Sequence, residues 1–113
     1  MRLKTKLSLR PRRRYVAFEV ISEYKFSAEQ IWSAICARIP IVGYNEIAEA
    51  QLRFIEWNEK RQIGILRCSH RKVSIIRVLL ASISKIENKV VGMRIIRVSG
   101  TLKTLRKKLK EVE

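Results

Sequence analysis

Between His70 and Ile86, apolar residues recur at Val73, Ile76, Leu79, Leu80, Ile83 and Ile86. This is the spacing of a helix with a broad apolar stripe, and Ser69 stands where it can cap the first turn. A stripe this wide needs a flat apolar surface to cover it, and the flanking segments supply one. Upstream, Leu52–Asn58 and Gln62–Ser69 are β-prone runs joined by Asn58-Glu59-Lys60-Arg61, the pattern of a hairpin. Downstream, Val91, Met93 and Ile95 alternate along a strand that turns at Ser99-Gly100-Thr101.

The first half of the chain repeats the theme. From Tyr15 to Glu23, Val16, Phe18 and Val20 point one way, while Tyr15, Ala17, Glu19 and Ile21 point the other. Ser27 and Gln30 then form a capping box, with Phe26 placed to staple onto Ile31. The helix they start buries Ile31, Ile35 and Ile39 and is expected to stop at Pro40. After a turn at Gly43, a short helix is expected over Asn45–Gln51, with Ile47 and Ala50 inward; Gly64, in mid-strand, predicts a bulge or a close backbone approach. The order β-α-(α)-β-β-α-β-α is that of an α+β, RRM-like or ferredoxin-like sandwich. Its four strands form an antiparallel sheet with the two long helices on one face. An additional C-terminal helix, with Leu102, Leu105, Leu109 and Val112 on one stripe, covers part of the other. Residues 15–113 make a single domain, preceded by a basic arm over residues 1–14 that is expected to be flexible until bound.

Charge sets the function class. Lys and Arg number 25 against 10 acids, all Glu, for a net charge of +15. A polyanionic partner is the first expectation for a chain that repels itself this strongly. Arg2, Lys4, Lys6 and Arg10 of the arm lead into the tract Arg12, Arg13 and Arg14. Arg67, Arg71, Lys72 and Arg77 flank the striped helix, Arg94 and Arg97 lie on the last strand, and Lys103, Arg106 and Lys107 lie on the terminal helix. Any one of these is ordinarily a solvated surface cation; only the cluster carries the argument. The strand Gln62–Cys68 holds no aromatic residue, so contacts are expected with phosphates and RNA shape, not with stacked bases. Tyr15 is the nearest stacking candidate, and packing is its commoner role.

Other chemistry is poorly supplied. His70 is the only histidine and Asp is absent, which leaves no general acid–base set. Cys36, Cys68 and His70 lack zinc-site spacing, so both cysteines are expected to be buried apolar residues and the protein to bind no cofactor. An acylphosphatase-like hydrolase would need a phosphate-cradling loop, and Ser22–Ser27 contains no glycine. The longest apolar runs are too short to span a membrane, and Met1–Arg14 lacks the apolar stretch of a signal peptide, so an intracellular protein is expected. The richness in Ile and Arg, with no Asp, suggests a thermophilic source.

Three segments together carry a resemblance. Arg13–Val20, Gly64–Ser69, and Arg97–Leu102 with Leu105-Arg106-Lys107-Lys108 resemble the Pop5 protein subunit of archaeal and eukaryotic ribonuclease P, over most of the chain from about Arg12. The resemblance implies a non-catalytic, cytoplasmic, archaeal protein. It would bind the catalytic domain of the ribonuclease P RNA and support removal of 5′ leaders from precursor tRNA. The RNA, with magnesium, then does the chemistry. A protein partner is also implied, the TIM-barrel subunit of the same enzyme, with a heterotetramer of two copies of each as a state for the pair. Trp32, Trp57, Ile41-Val42 and the mixed sheet face are candidate contacts for it. The rival expectation is a ribosomal or other RNA-associated protein of the same fold. Met1–Arg10 lies outside the shared motif.

Overall fold

The computed structural model describes residues 12–111. The expected arm therefore lies outside them up to Pro11, as does Val112. Strand β1 (Arg13–Ile21) begins inside the basic tract. It is followed by α1 (Ala28–Ala37), α2 (Ile39–Val42), α3 (Tyr44–Ala50), β2 (Arg53–Asn58) and β3 (Ile63–Ser69). A 3₁₀ turn at His70–Lys72 leads into α4 (Val73–Ala81), a small hairpin of β4 (Lys85–Ile86) and β5 (Lys89–Val90), then β6 (Gly92–Ser99) and α5 (Leu102–Glu111). The main sheet runs β2-β3-β1-β6 with every neighbouring pair antiparallel, the strand order of the split βαβ sandwich.

Local chemistry accounts for the element boundaries. Ser27 Oγ accepts from Gln30 N at 3.3 Å and Gln30 Oε1 accepts from Ser27 N at 2.8 Å, closing the capping box that starts α1. Pro40 does not simply end a helix. After α1 closes at Ala37, the proline sits in the first turn of α2, where its missing N–H has no partner to lose. Gly43, at φ 102°, makes the joint between α2 and α3.

The striped helix is shorter than its stripe. It ends at Ala81 with Ser82 as cap, yet Ile83 and Ile86 are still buried. The β4–β5 hairpin returns them to the core through Glu87 and Asn88, both at positive φ as a type I′ turn requires. Gly64 proves to be a close approach: a Cβ there would stand 2.6 Å from the Phe18 ring and 2.9 Å from Trp57.

Strand alternation gives the sheet two sides. Val16, Phe18, Val20, Leu66 and Cys68 pack with Ile31 and Ile35 of α1 and Ile76, Leu79 and Leu80 of α4. On the other side Ala17, Ile63 and Ile65 meet Leu105 and Leu109 of α5, flanked by Tyr15, Ile55, Ile96 and Leu102. Two bulges assist this second cluster. The β1–β6 register skips Ile96, and the β3–β2 register skips Ile55, so each edge strand turns one extra isoleucine toward α5.

At ten residues, α5 is too short to hold its shape alone in water. Burial of Leu105 and Leu109, at about 1.5–3 kcal/mol each, fixes it to the sheet. Arg61 Nη1 also donates to its Leu109 carbonyl at 3.3 Å.

Candidate nucleic-acid interface

With its leucines turned inward, α5 carries Lys103, Arg106, Lys107 and Lys110 at positions i, i+3, i+4 and i+7, a single outward stripe. Together they line a shallow groove of about 360 Å3. A second groove, about 380 Å3, runs between α5 and β6 and is lined by Arg94, Arg97 and Lys108 with Ile96, Leu109 and Glu111. Because the bulge at Ile96 resets the alternation, Arg94 and Arg97 both face the α5 side. Two of these cations have carboxylate partners: Arg106 donates to Glu56 Oε1 and Arg94 to Glu19 Oε1, each at 2.6 Å. The two guanidinium side chains are 54% and 60% exposed, so these are weak surface pairs that a phosphate can replace.

A third cluster lies at the end of the sheet where β1 and β3 run past β2. Arg53 of β2 is directly opposite Arg67 of β3, and Arg67 is opposite Tyr15 of β1, with Arg13 one pleat further along the same face. Like charges opposite one another destabilise a sheet. Among the described residues, no carboxylate forms an ion pair with any of the three.

The remaining expected contacts lie elsewhere. Arg14 alternates to the helix side, opposite Cys68, and its Nη1 donates to the Arg13 carbonyl at 3.0 Å. The tract Arg12–Arg14 is thus divided by the strand, with Arg13 alone on the α5 side. Arg12 and Arg71 are exposed at the 3₁₀ corner, where His70 N donates to the Arg12 carbonyl at 2.8 Å. Lys72 is gripped by Glu46 at 2.7 Å and Glu49 at 3.0 Å, hydrogen bonds that hold its ammonium above its usual pKa. Arg77 sits on the exposed side of α4. The α5 side accordingly gathers Arg13, Arg67, Arg94, Arg97, Lys103, Arg106 and Lys107, and leaves Arg12, Arg14, Arg71 and Lys72 apart from them. Arg53 was not among the sequence expectations. Its signal was the hairpin register, which places it across from Arg67.

Burial pushes the Cys68 thiol up to about 11, against a smaller opposing pull from Arg14, and raises Cys36 as well. Both are free thiols. Among the described residues, no group of three or more His, Cys, Asp or Glu is placed to hold a metal ion, and no helix is long and apolar enough to cross a membrane.

Comparison with known proteins adds a lineage to this geometry. The profile of the Rpp14/Pop5 family matches residues 14–110, from β1 through nearly all of α5. The chain is 38% identical over 102 residues to "Ribonuclease P protein component 2" of Thermococcus kodakarensis, covering 89% of this chain and 85% of that one. It is 36% identical over 110 residues to the protein of that name from Pyrococcus abyssi, covering 96% and 93%. The Methanosarcina mazei protein of that name is 32% identical over 107 residues, covering 94% and 90%. In a cryo-EM structure of yeast ribonuclease MRP, one chain superposes with a TM-score of 0.67 at 9% identity, covering 89% of this chain and 91% of that one, a likeness of fold. Because the match takes in the sheet and the cationic helix docked on it together, the chain belongs to the Rpp14/Pop5 family.

Proposed function

We propose that this chain is an RNA-binding protein subunit of ribonuclease P. It assists the catalytic RNA in removing the 5′ leader from precursor tRNA and is not itself the catalyst. The observation that carries the reading is the kinship, over nearly the whole chain, with proteins named as ribonuclease P components. The cationic α5 side supports it by supplying a physical means. Cations on a docked helix and a rigid sheet neutralise phosphates where RNA segments must approach one another. They release condensed counterions, and about six such contacts make affinity fall roughly a thousandfold between 50 and 200 mM salt. In this reading magnesium is held by the RNA, and the protein partner is the TIM-barrel subunit of the enzyme, in a heterotetramer of two copies of each.

The test is binding of the protein, with and without that partner, to ribonuclease P RNA and to a size-matched ribosomal RNA fragment across a salt series. It is paired with reconstituted cleavage of precursor tRNA in magnesium. Tighter, more salt-resistant binding to ribonuclease P RNA, with faster cleavage, is expected. Equal, steeply salt-sensitive binding to both RNAs with no gain in cleavage overturns the assignment.

A further inference from the structure

The three unpaired arginines at the sheet end do not stand on bare surface. With Arg13, Arg53 and Arg67, an open groove of about 810 Å3 is lined by Trp32, Phe54, Ile47, Ala48, Gln51 and Leu52. Trp32 and Phe54, both half-buried, stack on one another with ring centroids 5.6 Å apart and planes 13° from parallel. They lie on the helix side while the arginines leave from the α5 side, so the groove wraps around the open end of the sheet. Among the described residues the three like charges have no carboxylate paired to them, an arrangement poor for stability that lies beside a half-buried aromatic stack packed on the helix-side core. It suits a ligand that is anionic at one end and flat and aromatic at the other.

We infer that this groove is a subsite for one unpaired nucleotide of RNA. Its phosphate is held by the guanidinium groups of Arg13, Arg53 and Arg67, and its base lies against the Trp32–Phe54 pair. The inference rests on the RNA-binding reading above and sharpens it. Guanidinium forks match phosphate oxygens in pairs, and three of them outbid the repulsion that Arg53 and Arg67 impose on each other in the free protein. The groove is of a size that takes a single nucleotide. A base inside an RNA helix keeps its faces covered by its neighbours, so only an unpaired nucleotide offers one to an aromatic pair. The chain's own N-terminal segment is a poor occupant, since Arg2, Lys4, Lys6 and Arg10 bring further positive charge.

The probes are single-stranded hexauridylate and a short RNA duplex of equal charge, titrated into the full-length protein while tryptophan emission and affinity are read. Hexauridylate is expected to quench emission saturably, and the duplex to bind without doing so. Trp32→Leu should remove the quench and weaken hexauridylate about tenfold, with duplex affinity unchanged within twofold. Trp32→Phe, which keeps the stack and serves if the leucine variant fails to fold, should restore hexauridylate affinity. Arg53→Gln with Arg67→Gln should weaken hexauridylate more than duplex. The subsite is overturned if hexauridylate leaves emission unchanged, or if the variants weaken both probes equally. Neither result touches the broader assignment, which fails separately if ribonuclease P RNA is not preferred over the ribosomal fragment.

Discussion

On one side of the sheet, Val16, Phe18, Val20 and Leu66 meet two helices, α1 and α4, and are closed to water; on the other, Ala17, Ile63 and Ile65 meet a single helix of similar length, α5, rimmed by cations. The same strands make both, since successive side chains alternate between them. Among the described residues, the helix side holds fifteen buried residues in one cluster and the α5 side five, so global stability should reside mainly in the first. The second positions charge. A helix held by two buried leucines and carrying a self-repelling stripe belongs to the part of the fold that opens first.

Substitutions matched across the sheet put that contrast to the test. Phe18→Ala, in the helix-side core, should cost about 3–5 kcal/mol and lower the melting temperature by more than ~10 °C in a circular dichroism melt. Leu105→Ala, on the α5 side, should cost about 2 kcal/mol, the low end for a buried leucine, because α5 can lift away without opening the sheet. Hydrogen exchange should show α5 amides losing protection while those of β1 and β3 keep theirs. Uniform loss across both would show the two sides to be one cooperative unit.

A third, smaller effect concerns pH. The Cys68 thiol is raised from 9.0 to about 11 in the folded chain, so above pH 9 the unfolded state gives up a proton that the folded state keeps. Stability contributed by burying the neutral thiol is therefore complete below pH 9 and is lost as pH rises toward 11. Urea denaturation of Cys68→Ala beside the parent should show a shallower decline across that window. Equal slopes would remove Cys68 as the cause.

Least costly for folding should be Lys103→Ala, Arg106→Ala and Lys107→Ala combined. Stability should move by no more than about 0.5 kcal/mol, since the triple change removes only the exposed Arg106–Glu56 pair. The slope of log affinity against log salt should fall by about 2–3 for RNA. An unchanged slope would take α5 out of the interface.

Much of this contrast was legible in the residues. The capping box at Ser27 and Gln30, the hairpin from Arg53 to Ser69, and the two-sided reading of β1 all follow from local chemistry, and the structure has each of them. What escaped were features set by partners distant in sequence. Ile83 and Ile86 continue a helical spacing because a hairpin happens to bury them at that interval, so periodicity alone could not end α4 at Ala81. Arg12, Arg13 and Arg14 read as one charge block until the strand starts among them and sends neighbours to opposite sides. Trp32 of α1 and Phe54 of β2, separated in sequence by α2 and α3, meet only through the tertiary fold. Ile55 and Ile96 were hidden for a related reason, because a bulge is visible only against the partner strand's register.

Those two bulges have a consequence beyond seating α5. They fall on β2 and β6, the outermost strands, which would otherwise present unpaired backbone groups to a second molecule. An interrupted edge cannot run a continuous ladder with a neighbour's straight strand, so sheet-to-sheet fibre growth is blocked at both margins. Backbone geometry at the two margins thus adds to the mutual repulsion of a net charge of +15 in opposing self-association.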